Sequence, residues 1–286
     1  MEYPDDVLII HGPRPPAAPA RPIVLDSPHS GRRMPADFGA AVTAEALREG
    51  EDCFIDALWA PAAERGIPLL AAQFPRTYLD ANRHAGDIDA ELLAEPWPGP
   101  VKASGKGAIG KALVWRTLDA DQPIYDRRLS VAEVQARIDR CHRPYHAALQ
   151  LLLDAAHAAH GAVYHVNCHS MGPDTHVLIE GYGGQPRADF VLGDRDGSTC
   201  DPAFTAFVRE VLAGFGYRVA VNDPFKGVEL VRAYSAPAAG RHSLQLEINK
   251  RLYMDVATLQ PTEGFHQVQA HLMALLDAVA GRFGRG

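Results

Sequence analysis

No C-x-x-C pair joins the four cysteines Cys53, Cys141, Cys168 and Cys200, which lie far apart along the 286-residue chain. That spacing excludes a cysteine-built zinc knot and a dithiol redox motif. A chain of this length buries a core without disulfide staples, so the cysteines read as reduced thiols of a cytoplasmic protein. Long apolar runs are missing too, and none approaches the ~20 residues of a membrane span. The opening Met1-Glu2-Tyr3-Pro4-Asp5-Asp6 carries acid where a secretory leader needs base. Basic blocks are also absent. The formal charge is -7 and the Lys and Arg residues are scattered, which argues against a nucleic-acid surface. A small anionic ligand stays open, because one or two placed arginines suffice to hold it. Nothing in the sequence sets an oligomeric state.

What is present is an alternation of strand-like and helix-like segments. Residues 1–22, rich in Pro and Ala from Gly12 to Pro22, read as an extended lead-in, and 23–286 as a single catalytic domain without internal repeats. Strands are expected at 23–26, 68–73, 163–168, 177–180, 188–192, 218–221 and 243–248. Helices are expected at 43–65, 130–160, 201–215 and 262–283. The helix at 130 opens on a capping box, Ser130 with Glu133, and ends at Gly161. Such alternation predicts an α/β fold with a central mixed, mostly parallel sheet between helix layers. The stretch from Asp87 to Gly110, rich in Gly, Pro and Ala, reads as a long excursion, either a lid near the site or a surface loop.

Two apolar runs end on histidine followed by serine. They are Ile23-Val24-Leu25-Asp26-Ser27-Pro28-His29-Ser30 and Val163-Tyr164-His165-Val166-Asn167-Cys168-His169-Ser170. In α/β sheets, ligands gather beyond the carboxyl ends of strands, so His29 and His169 are candidate ligands of one metal ion. A catalytic zinc wants three protein ligands and an open position, which calls for an acid. Asp52 and Glu51 compete for that place, with Asp26 and Asp194 in reserve. His142, His146, His157 and His160 sit on a long helix with ample polar surface and read as structural. A serine hydrolase ranks lower, since no G-x-S-x-G elbow is present.

Three further segments carry polar groups suited to a substrate. Arg76, Asn82 and Arg83 follow the strand at 68–73, either as an anchor for a substrate carboxylate, which guanidinium forks match, or as a surface loop salt-bridged to Asp80 or Asp87. In Ser243-Leu244-Gln245-Leu246-Glu247-Ile248-Asn249 the leucines and isoleucine share one face and Gln245, Glu247 and Asn249 the other. At a sheet edge that is an ordinary amphipathic strand, whereas in a central strand Glu247 becomes a carboxylate aimed into a cleft, suited to take a proton from a metal-bound water. The loop Asn222-Asp223-Pro224-Phe225-Lys226-Gly227, followed by Arg232, is either a closing element or a solvated turn.

Taken together, these motifs, in their order from Val24 to Asp255, resemble the N-formylglutamate amidohydrolase family, similar in fold to the zinc carboxypeptidases and aspartoacylases. The resemblance implies one zinc ion held by His29, Asp52 and His169. At position 32, where zinc carboxypeptidases complete an H-x-x-E turn, this chain has Arg32, so Glu51 stays a rival for the acidic place. The resemblance further implies Glu247 as the proton-transferring base and Arg76 as the group polarising the scissile carbonyl. Asn82 and Arg83 would hold the α-carboxylate, and Lys226 or Arg232 a side-chain carboxylate. The activity implied is hydrolysis of the formyl amide of N-formyl-L-glutamate, or of a similar small acidic N-acyl amino acid, and the family name suggests a place in histidine catabolism. The alternatives are a carboxypeptidase-like hydrolase of other N-acyl amino acids or short peptides, and a non-catalytic amino-acid-binding protein.

Overall fold

A computed structural model describes residues 3–175 and 184–284. Its strands are β1 (Leu8–His11), β2 (Ile23–Ser27), β3 (Leu69–Ala72), β4 (Val163–Met171), β5 (Phe190–Gly193), β6 (Val219–Val221) and β7 (Arg241–Asn249). Among the described residues they form a seven-stranded sheet in the order β1-β3-β2-β4-β7-β5-β6. The pairs β2 with β4, β4 with β7 and β5 with β6 are parallel, and β5 with β7 is antiparallel. The expected mixed, mostly parallel sheet is therefore present.

The chain divides into two compact units interleaved in sequence. One comprises Met1–Ile9, Pro28–Glu51 and Leu70–Gln150, the other Ile10–Ser27, Asp52–Leu69 and Leu151–Gly286. All seven strands have residues in the second unit.

In this second unit the central strands follow a period of two. Tyr164, Val166 and Cys168 of β4 and Leu244, Leu246 and Ile248 of β7 point to one face, where they join a single apolar core. Helices 55–59, 202–214 and 264–283 close that face with Leu58, Phe204, Val208, Leu212, Leu272 and Leu276. The opposite face of the same strands carries polar residues, described below. Helix 202–214 starts as its sequence dictates, with the Asp201 side chain accepting from the Ala203 N–H and Pro202 in the first turn.

The first unit is organised around a buried arginine. The Arg137 guanidinium donates to the Tyr78 carbonyl at 3.1 Å, the Phe38 carbonyl at 3.0 Å and the Tyr125 hydroxyl at 2.7 Å. Its plane also lies 4.2 Å from the Tyr78 ring centroid. These partners offset the cost of burying the charge. Arg137 belongs to the helix opened by Ser130 and Glu133, whose reciprocal capping box forms as expected. That helix passes through a π-helical turn at 138–142 into helix 143–160, ended by Gly161 in the left-handed region.

Several details depart from the sequence reading. The expected helix over 43–65 is broken into helical pieces at 44–47 and 55–59 and 3-10 turns at 48–50 and 60–65. Phe54, at φ 63, interrupts it, so Glu51 and Asp52 lie in a break and not on a helix. Within the segment 1–22 read as an extended lead-in, Leu8–His11 forms strand β1. The strands expected at 163–168 and 243–248 run further, to 163–171 and 241–249. The expected strand at 177–180 lies outside the described residues. No helix among the described residues is long and apolar enough to cross a membrane.

Leu246 is fully buried in the core, whereas Val101 is 54% exposed. Leu246→Ala is expected to lower the unfolding free energy in urea titration by about 2–5 kcal/mol through loss of buried surface and the cavity left behind. Val101→Ala is expected to change it by less than about 0.5 kcal/mol.

Candidate functional site

The polar face of β4 and β7 is a hydrogen-bonded ladder. In their parallel register His165 lies opposite Ser243, Asn167 opposite Gln245, and His169 opposite Glu247. Asp26 of β2 pairs with Asn167. The Asp26 Oδ1 atom accepts from His165 Nε2 and from Asn167 Nδ2, both at 2.8 Å. With its amide nitrogen given to Asp26, Asn167 turns its carbonyl Oδ1 to His169 Nε2 at 2.7 Å.

This arrangement fixes a proton on His169 Nε2 and aims Nδ1 at Asp52 Oδ2, 2.9 Å away. Nδ1 thus meets a buried carboxylate either as an imidazolium N–H or as a lone pair that a cation must bridge. The donor set therefore fits a metal ion. Asp52 reaches this place because of the break after residue 50. Its Oδ1 accepts from the Ser170 hydroxyl at 3.1 Å, and the Tyr253 hydroxyl donates to the neighbouring Cys53 carbonyl at 3.0 Å. Burial raises the Tyr253 phenol well above its usual range, which keeps it a donor.

Glu247 is held on the same face. Gln245 accepts the Val228 N–H at 3.2 Å and donates through Nε2 to Glu247 Oε1 at 2.8 Å. Arg187, which the sequence reading passed over, is buried, donates to the Gly172 carbonyl at 2.8 Å and lies over the Phe225 ring at 5.4 Å. Burial lowers its guanidinium pKa, while the charge of Glu247 acts in the opposite sense. The loop at 222–227 is pinned. Asn222 exchanges hydrogen bonds with Asp194, and a Cβ on Gly193 would lie 2.6 Å from the Gly227 nitrogen.

In the first unit His29, Arg76 and Arg83 converge on Asp80, which is fully buried. Its Oδ1 receives His29 Nε2 at 2.6 Å and the Asn82 N–H at 2.9 Å, and its Oδ2 receives Arg76 Nη2 at 2.8 Å. Arg83 Nε stands 3.6 Å from the same oxygen. Burial pushes the Asp80 carboxyl pKa up, but Arg76, His29 and Arg83 outweigh it and hold the group well below the usual range. Gly31 is required beside His29, since a Cβ there would come within 2.3 Å of the Phe74 carbonyl oxygen.

Two histidines read from sequence as structural have a definite task here. His142 and His146 stack at 3.9 Å between ring centroids, and their Nε2 atoms donate to the carbonyls of Arg83 and Ala81, each at 2.9 Å. They clamp the Asp80-Ala81-Asn82-Arg83 turn from behind.

The family model described as N-formylglutamate amidohydrolase matches residues 21–254. The chain belongs to the N-formylglutamate amidohydrolase family. It is 30% identical over 239 residues to an N-formylglutamate deformylase of Pseudomonas aeruginosa and 28% identical over 238 residues to that of Pseudomonas putida, covering 82% of this chain and 82% of each relative. A crystal structure of N-formylglutamate amidohydrolase from Ralstonia eutropha JMP134 superposes with a TM-score of 0.90 at 46% identity, covering 98% of this chain and 99% of that one. A gene product of Agrobacterium tumefaciens shares the fold, with a TM-score of 0.71 at 17% identity over 98% of both chains.

Against this amidohydrolase frame, the site residues named from sequence fall into three groups. Asp52, His169 and Glu247 come together in the second unit, and His29, Arg76, Asn82 and Arg83 in the first. Lys226 and Arg232 join neither cluster. Lys226 is well exposed and paired with Asp196 at 2.9 Å, and Arg232 is half exposed and paired with Glu229 at 2.7 Å. Glu51 is taken by Arg48 Nε at 2.6 Å, while Asp194 accepts from Thr205 and Asn222 and Asp26 from His165 and Asn167. Sequence reasoning missed the supporting set Asn167, His165, Ser243 and Gln245, as well as the histidine-orienting role of Asp80. The available signal was a polar residue at every second place of an otherwise apolar run, which a buried strand carries only when each has a partner.

Because the folded pKa of Asp80 lies below its unfolded value, its ionised form stabilises the fold above about pH 4, and that contribution fades as the pH falls further. Asp80→Asn is expected to cost about 3–5 kcal/mol at neutral pH by leaving buried cations uncompensated. Its stability deficit relative to wild type, read by urea unfolding across pH 2–7, is expected to shrink toward the acid end.

Proposed function

We propose that the chain is a metal-dependent deformylase that hydrolyses the formyl amide of N-formyl-L-glutamate to formate and glutamate. The observation that carries this reading is His169, opposite Glu247 in the strand register and aimed through Nδ1 at Asp52. His29, Asp52 and His169, all buried and all of ligand type, would hold one zinc ion. Both histidines have Nε2 committed, to Asp80 and to Asn167, which is the outer support that metal-ligating histidines use. His29 follows the end of β2 by two residues, and β2 pairs in parallel with β4, which carries His169. A zinc ion bound there supplies a water acidic enough to ionise near pH 7 and a Lewis acid for the carbonyl.

The remaining steps belong to side chains of this protein. Glu247 takes the proton of the attacking water and returns it to the leaving amine nitrogen once the formyl carbon has become tetrahedral. Gln245 holds one Glu247 oxygen and so directs the other. Arg76, oriented by Asp80, faces the developing oxyanion. Asn82 and Arg83 hold the α-carboxylate, and the His142–His146 clamp fixes the turn that carries them. Lys226 and Arg232 would meet substrate only on leaving their present acidic partners. The four cysteines are free and buried, in keeping with a reducing cytoplasm.

Formate release from N-formyl-L-glutamate is the direct assay, run beside N-acetyl-L-glutamate and short peptides. Exclusive release of another acyl group would move the chain to the broader N-acyl amino acid hydrolases. Glu247→Gln is expected to keep zinc content and melting temperature while turnover falls by about 100-fold or more. His169→Ala is expected to reduce zinc stoichiometry in elemental analysis, and unchanged stoichiometry would remove His169 from the ligand set.

A further inference from the structure

The first unit gathers four cations, Arg76, Arg83, Lys106 and Lys111, which its acids answer unevenly. Lys111 is answered by Asp119, and by Glu49 at 3.6 Å, and its amine lies 4.6 Å from the Trp115 ring centroid. Arg76 is answered by Asp80 and lies 5.1 Å from the same centroid. The other two differ. Arg83, buried, has Asp80 at 3.6 Å and the charge of Asp87 acting on it, and its Nε makes no hydrogen bond among the described residues. Lys106, partly buried, has neither an ion pair nor a hydrogen bond at its amine among the described residues.

Lys106 is not on a loose loop. Its N–H donates to the Ser104 hydroxyl oxygen at 3.3 Å, and that hydroxyl donates to Asp87 at 2.6 Å. Its carbonyl accepts from the Lys111 N–H at 2.9 Å, closing the 3-10 turn at 106–109. Burial and the charges of Arg83, Arg76 and Lys111 hold the Lys106 amine below the usual lysine range. An ammonium kept among like charges on a braced turn is electrostatically incomplete, and an anionic ligand is what completes it.

We propose that Lys106 reads the side-chain carboxylate of the substrate, so that the cluster takes a dicarboxylate with one acidic group on Asn82 and Arg83 and the other on Lys106. This rests on the deformylase reading above and replaces Lys226 and Arg232 as the side-chain anchor. Those two cations already have acids of their own on the surface, whereas the Lys106 amine has none among the described residues.

The test compares wild type with Lys106→Met and Lys106→Arg. For N-formyl-L-glutamate, Lys106→Met is expected to lower kcat/KM by about 10- to 100-fold, chiefly through KM, as a lost charge-assisted hydrogen bond does. Its kcat/KM for N-formyl-L-glutamine is expected to stay within about twofold, and Lys106→Arg is expected to restore part of the preference for glutamate. A folded Lys106→Met enzyme with an unchanged glutamate-to-glutamine ratio would overturn the assignment. Calorimetric binding of glutarate and butyrate decides the point without turnover. Selective weakening of glutarate in Lys106→Met supports the role, and equal affinities before and after substitution refute it, even if wild type releases no formate and the deformylase reading itself fails.

Discussion

The register between β4 and β7 is the constraint on which the rest of the second unit depends. Side chains alternate along a strand, so a slip of one residue would exchange the two faces of the strand that moved. Leu244, Leu246 and Ile248 would then leave the apolar core, and Ser243, Gln245 and Glu247 would enter it unpaired. The packing of Leu58, Phe204 and Leu272 against the apolar face therefore does more than stabilise the fold. By fixing the register it also sets His169 beside Glu247, and with them the polar ladder from Asp26 to Asp52.

Burying so many polar groups is tolerable only because nearly every lone pair and proton in the ladder has a direction. Asp26 accepts twice, which orients Asn167, and Asn167 in turn fixes the proton of His169. Asp80 performs the corresponding service in the first unit, where one carboxylate answers an imidazole and two guanidiniums. Buried charges arranged in this way contribute little net stability over apolar substitutes, but removing a single partner is costly. Such a network holds reactive side chains in one geometry before any ligand arrives. That rigidity suits the chemistry proposed, in which a base, a metal-ligating histidine and two substrate anchors must keep their places through the reaction.

The break at 51–54 is the clearest case of tertiary structure overriding local preference. Residues 43–65 have the composition of a helix, yet Phe54 adopts a left-handed backbone and the chain on either side tightens into 3-10 turns. Left-handed backbone costs a non-glycine residue about 1–2 kcal/mol. In return the Asp52 carboxylate reaches His169 and Ser170, which a position on a continuous helix would not guarantee. Glu51, its neighbour, is drawn instead to Arg48.

The sequence by itself determined the α/β class, the two histidines at the ends of apolar runs, the alternating strand that carries Glu247, and the arginine-rich turn after β3. All of these are local patterns, legible because periodicity and turn chemistry act over a few residues. The tertiary structure decided which acid stands beside His169, which of the cations lack an acidic partner among the described residues, and which polar side chains orient the reactive ones. Asp52 differs from Glu51 in the partner that the backbone break gives it, and Lys106 from Lys226 in having no acid at its amine among the described residues. These choices turn on donors and acceptors brought together across 28 to 141 positions of sequence, as in Asn222 with Asp194 or Asn167 with Asp26. Long-range pairing of that kind leaves no periodic trace in the chain, because its selection rests on burial and hydrogen-bond satisfaction in the folded state.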